Sequence, residues 1–234
     1  MTPPLKHTLI ALLATTAVHA AEFSGRLYEK GSNRTKVLFT NQNSDLVEGG
    51  GHVGRTVFKD PEGHEVVIEE TRWGPQGLES FSVDQLQTGE KGSVRLTKDK
   101  ALFSWVKDGK TKTAEESHPD NFLVPGELAS YVHAHWAELQ KGEAVHVRLA
   151  VLERLETVGF KFVKGRDVTV AGRKAVVITM SASAFFIGFV VKPLSFTFSE
   201  DGVAIYEIDG RISPKLKRDG SWVDVEAESV FSAP

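Results

Sequence analysis

The chain contains no cysteine, which excludes a disulfide scaffold, a thiol nucleophile and the lipid attachment of bacterial lipoproteins, and leaves stability to packing. It also lacks an excess of positive charge: 28 Lys and Arg against 31 Asp and Glu give a net charge of −3, with no basic block. Binding to nucleic acid is therefore disfavoured, because phosphate demands concentrated positive charge. No uninterrupted apolar stretch reaches the roughly 20 residues that cross a bilayer, so no stable transmembrane anchor is expected. A Gly-x-Ser-x-Gly elbow, a phosphate-binding Lys motif and a metalloprotease His-Glu helix are missing as well. No catalytic residue and no cofactor is assigned on these grounds. An unfamiliar hydrolase is the least favoured reading, kept because catalytic groups can converge only on folding.

What is present is an ordinary globular composition of 41% hydrophobic and 25% charged residues over 234 positions, enough to bury a core and keep a charged surface. Residues 1–20 have the form of a cleaved secretory signal: Lys6, then an apolar run over 9–18, then the small Ala20 before Ala21. The periplasm is the expected destination. Residues 21–234 have no Pro/Ser-rich linker and are read as a single β-rich domain.

Runs rich in β-branched and aromatic residues predict strands at 26–29, 36–40, 52–58, 65–72, 78–85, 93–97 and 101–107. Others fall at 145–150, 160–163, 174–183, 194–198, 203–208 and 222–231. Asp60-Pro61-Glu62-Gly63, Asp108-Gly109, Asp201-Gly202 and Asp219-Gly220 are turn signals between them and favour an antiparallel meander. One helix is expected over 127–140, where Leu128, Tyr131, Val132, His135, Trp136 and Leu139 draw an apolar stripe. Pro125 and Glu127 suit its start, and Gly142 its exit. The predicted fold is mainly β: a curved antiparallel sheet or half-barrel packed against one central amphipathic helix.

Gly49, Gly51 and Gly54 have dinucleotide-binding spacing, but a strand-like segment follows where a helix is required. His133 and His135 point about 200° apart on a helix and cannot share an ion from one face, so no metal site is assigned. Glu69 and Glu70 fall on opposite faces of a regular strand, while Asp224, Glu226 and Glu228 share a face that needs water or bases. The apolar segment 182–191 is either a buried strand or short core-crossing helix, or a lip that meets an apolar partner. Arg154, with Arg148 and Glu156 in a largely apolar stretch, either forms an ion pair or holds an anionic head group at a pocket rim.

The export signal, the repeated strands, the helix after Pro125 and the segment Arg154-Leu155-Glu156-Thr157-Val158-Gly159-Phe160 together resemble an uncharacterised family of proteobacterial periplasmic proteins. More distantly they resemble lipoprotein-carrier half-barrels, whose sheets cover an apolar cavity. That resemblance implies a binding or carrier protein for a lipid-like or other apolar ligand in envelope maintenance. A lipid or hydrophobic peptide would then lie against Tyr131, Trp136, Phe185, Phe186 and Phe189, with Arg154 at an anionic end. The opposing reading is a structural or protein-interaction domain that contacts another envelope protein and buries the same rings in its core.

Overall fold

The computed structural model describes residues 19–48, 50–183 and 192–232. Residues 1–18, most of the segment expected to be a signal, and Phe185, Phe186 and Phe189 lie outside these residues. Eight strands form the first half: β1 (His19–Glu29), β2 (Val37–Glu48), β3 (Gly51–Lys59), β4 (Glu65–Gly74), β5 (Gly77–Gln85), β6 (Glu90–Leu96), β7 (Lys100–Lys107) and β8 (Lys110–Ser117). The short β9 (Phe122–Leu123) and a 3-10 turn at Pro125–Glu127 lead into α1 (Leu128–Ala134) and α2 (Trp136–Gln140). Six strands follow: β10 (Val145–Val151), β11 (Glu156–Val170), β12 (Arg173–Ala182), β13 (Leu194–Ser199), β14 (Ile205–Arg218) and β15 (Ser221–Phe231).

All fifteen strands belong to one sheet, ordered β8 through β1, then β15 through β9. Two meanders are thus joined where the first and last strands pair, Gly25 facing Phe231 and Leu27 facing Ser229. Every pairing is antiparallel except that of β9 with β10. The half-barrel expectation needs correction: the sheet is open, its terminal strands β8 and β9 are not neighbours in the ladder, and it is neither closed nor strongly curled. A barrel needs those edges to pair backbone to backbone; here Glu116 of β8 instead accepts from the backbone N–H and hydroxyl of Thr157 in β11.

The helix is also not one piece. At His135, φ −104° and ψ 18° interrupt it. The His135 ring and backbone N–H both engage the Tyr131 carbonyl, at 2.9 and 3.2 Å. The break separates two rings that pack on different strands: Tyr131 lies 6.1 Å from Phe162 of β11, Trp136 5.7 Å from Phe198 of β13.

Alternation along the strands builds two cores. Leu27, Phe39, Val67, Phe81, Val94 and Phe103 bury the first, between the β1–β7 arm and residues of β10, β14 and β15. Val132, Leu139, Phe162, Ile178, Phe196 and Phe198 bury the second, beneath the helices. A bulge in β14 links the arms. Pro214 offers no N–H to a ladder and sits where the β14–β15 register shifts between Arg211 and Lys215. The backbone freed there turns to β5 and the loop after it: Gln85 donates to the Ser213 carbonyl at 3.0 Å, and Gln87 both accepts from and donates to Lys215 at 2.8 Å.

Candidate functional site

A cavity of about 450 Å³ lies between one face of β2–β5 and the start of the helical segment. Register explains its floor. Asn43, Thr56 and Glu69 occupy one cross-strand row, and Asp45, Gly54, Thr71 and Phe81 the next. His52 and Trp73 form a third. Period-two alternation puts all of these on the same face.

Each row has a distinct job. Thr56 donates to Asn43 at 2.7 Å, so the first row satisfies itself up to Glu69. Gly54 is needed because a side chain there would press on the Asp45 carboxylate at 3.1 Å and the Trp73 ring at 3.1–3.2 Å. That missing side chain leaves Asp45 and the Trp73 indole side by side. His52 stacks on Trp73 with centroids 4.3 Å apart and planes 16° apart. The Trp73 indole N–H donates to Glu127 at 3.0 Å and so ties the sheet to the helical segment. The roof comes from Gly126, Ala129 and Ser130. At Gly126 the chain runs so close to Thr71 that any Cβ would collide with the Thr71 hydroxyl.

Two carboxyl groups here are held above the usual range. Burial pushes Glu69 up, opposed by its hydrogen bond from the Ser213 hydroxyl on the β14 bulge. Burial also pushes Glu127 up, offset in part by the Trp73 N–H and the backbone at Val124. Among the described residues no base pairs with Glu69 or Asp45, and no hydrogen bond joins His52 to a carboxylate. Glu70, on the other face as alternation requires, meets Arg55 at 3.7 Å and Arg72 at 3.5 Å.

The expected ligand-binding residues that the structure describes, Tyr131, Trp136 and Arg154, do not line this cavity. Tyr131 is half-buried in the second core and stacks on His135 at 4.2 Å. Trp136 packs there too, donating to the Glu200 carbonyl at 3.3 Å, with its ring where a Gly202 side chain would project. Arg154 pairs with Glu156 at 2.5 Å. None of the three lines the cavity, and Tyr131 and Trp136 pack against the same second core. Phe185, Phe186 and Phe189 lie outside the described residues. His133 reaches the Gly202 carbonyl at 3.2 Å, and no metal-holding cluster exists among the described residues. Asp224, Glu226 and Glu228 meet bases, Arg211, Lys192 and Arg34 among them.

Sequence reasoning missed Thr71 and Trp73 and gave Glu69 no partner. The available signal was Glu69-x-Thr71-x-Trp73, an inward row that is polar where a core row would be apolar.

No protein-family description matches the chain, and no curated protein matches it. Among solved structures it is similar to a beta-barrel-like protein of domain of unknown function DUF1849 from Brucella abortus, at 10% identity and a TM-score of 0.43. The match covers 92% of this chain and 95% of that one. No helix among the described residues is long and apolar enough to cross a membrane.

Proposed function

We propose that the chain is an exported binding protein of the cell envelope, acting in the periplasm after removal of residues 1–20. Its ligand is small and amphipathic and sits between β2–β5 and the helical roof. The observation that carries this reading is the cavity itself: Trp73 and Phe81 line it beside the carboxyl groups of Asp45 and Glu69, which have no ion-pair partner among the described residues. Small-molecule sites combine a mostly apolar wall with a few fixed polar groups, and about 450 Å³ falls in their size range. A structural domain would gain nothing from a desolvated carboxyl without a counter-charge, since burying one is costly.

The lipid-carrier form of this reading places an acyl chain along the same walls and, through the residues implied by resemblance, against Tyr131 and Trp136. Native mass spectrometry of protein purified gently from its own envelope tests both forms. A small-molecule adduct is expected on the wild type and lost in Ala129→Phe, a roof substitution at an exposed helix position that fills the cavity while far-UV circular dichroism stays unchanged. An adduct that survives Ala129→Phe but is lost in Trp136→Ala moves the site to the second core. Ligand-free protein, under conditions that keep lipid on a control carrier, favours the structural or interaction domain.

A further inference from the structure

We propose that the ligand of this cavity is a small organic cation: an amine or alkylated ammonium carried on an apolar, preferably planar, body. The inference rests on reading the cavity as a binding site and names the chemistry of what enters it.

Charge is the first argument. Asp45 and Glu69 both line the cavity, and neither has an ion-pair partner among the described residues. Arg55, the one lining residue with a fixed positive charge, is directed to Glu70 at 3.7 Å. His52 is occupied by its stack on Trp73. Glu69 is held by a single neutral donor, Ser213. The charged form of that carboxylate therefore lacks a counter-ion in the chain, and a bound cation would supply one in a place where water screens little.

Ring chemistry is the second. The Trp73 indole, one face of which His52 covers, and the Asp45 carboxylate both border the Gly54 position, and Phe81, 2% exposed, faces Thr71 in the same row. A cation over an indole or phenyl face is attracted by the ring quadrupole, and a carboxylate beside that face adds to the attraction. Anions find the reverse. The cavity offers them no free fixed cation, and α1, with seven residues behind a 3-10 turn, is too short to present an anion-binding terminus. The Thr56 hydroxyl is committed to the Asn43 carbonyl oxygen, and the Asn43 amide donates to the Phe23 carbonyl at 3.4 Å.

Calorimetric titration at pH 7 with benzylamine, benzyl alcohol and benzoate holds size and ring constant while changing charge. Benzylamine is expected to bind about tenfold more tightly than benzyl alcohol, with benzoate weakest. Glu69→Gln is expected to erase most of that preference while leaving benzyl alcohol within about twofold of wild type. Asp45→Asn, at an exposed position, gives the same readout independently of folding at Glu69. Benzyl alcohol or benzoate binding as tightly as benzylamine would overturn the cation assignment and leave the cavity reading standing. Binding of none of the three, or binding unchanged by Ala129→Phe, would overturn the cavity reading and this proposal with it.

Discussion

Glu69 carries a carboxyl group that the fold desolvates and that no base among the described residues neutralises, and that has a consequence for stability. Its folded-state pKa is raised by burial above the unfolded value of about 4.3. Between those two values the native chain holds a proton that the unfolded chain has lost, so stability is full below the unfolded pKa and declines as pH rises through the folded one. Glu69→Gln removes this titration. Thermal melts at pH 5 and pH 8 should show a smaller loss of Tm for the variant than for the wild type, with a residual slope from Glu127, which burial also raises. An identical slope would mean that Glu69 is solvated as in the unfolded chain. Gly126 makes a second residue-level test, because the Thr71 hydroxyl occupies the space a Cβ would need. Gly126→Ala should cost about 1–3 kcal/mol in urea unfolding, as overpacking does. The cost should shrink in a Thr71→Ala background, whereas additive costs would show that the two do not touch.

At the scale of elements, the clearest cases are those where the chain departs from simple periodicity. β8 reads Lys-Thr-Lys-Thr-Ala-Glu-Glu-Ser, almost fully exposed, and carries no apolar alternation to announce a strand. It exists because β7 offers a ladder, and its charges suit an edge that must not recruit another chain. An inward tie comes from Glu116, which accepts from both the backbone N–H and the hydroxyl of buried Thr157 at 2.9 and 2.8 Å. Arg148 in turn donates to the Thr157 carbonyl at 2.7 Å. Glu116→Ala leaves a buried N–H without a partner and should cost about 1–3 kcal/mol, with Glu116→Gln recovering much of it because the amide oxygen still accepts. If both variants unfold at the wild-type urea midpoint, water reaches Thr157. Most other strands were legible because turn residues and β-branched runs act locally. The helix break was not: the stripe from Leu128 to Leu139 is continuous in sequence, and only the separate demands of Phe162 and Phe198 divide it. The β14 bulge was partly legible from Pro214, but its contact with Glu69, 144 residues away in sequence, was not.

For the whole molecule, the pairing of β1 with β15 and the shared first core make the two meanders interdependent. Glu90, nearly buried, lies 2.5 Å from Lys107 and 3.9 Å from Lys215 of β14, and the bulge contacts of Gln85 and Gln87 cross the same boundary. If residues 21–234 form one domain, urea unfolding followed by tryptophan fluorescence and by far-UV circular dichroism should give coincident single transitions. Two separated transitions would divide the chain into two units. The candidate site was the least legible feature because it is assembled from four strands and a helical turn: the opposition of Glu69 and Glu70 follows from strand alternation, whereas the neighbourhood of Trp73, Asp45 and Gly126 depends on register and on how the helical segment returns across the sheet. The large apolar rings at 131 and 136 pack, partly buried, against the second core.

The most direct test of the central claim is a crystal structure of the protein purified from its native source without refolding. Density for a small molecule bounded by Trp73, Glu69 and Ala129, with a basic nitrogen toward the carboxylates, is the expected result. A cavity holding only water, with the retained molecule against Tyr131 and Trp136 or absent altogether, would contradict it.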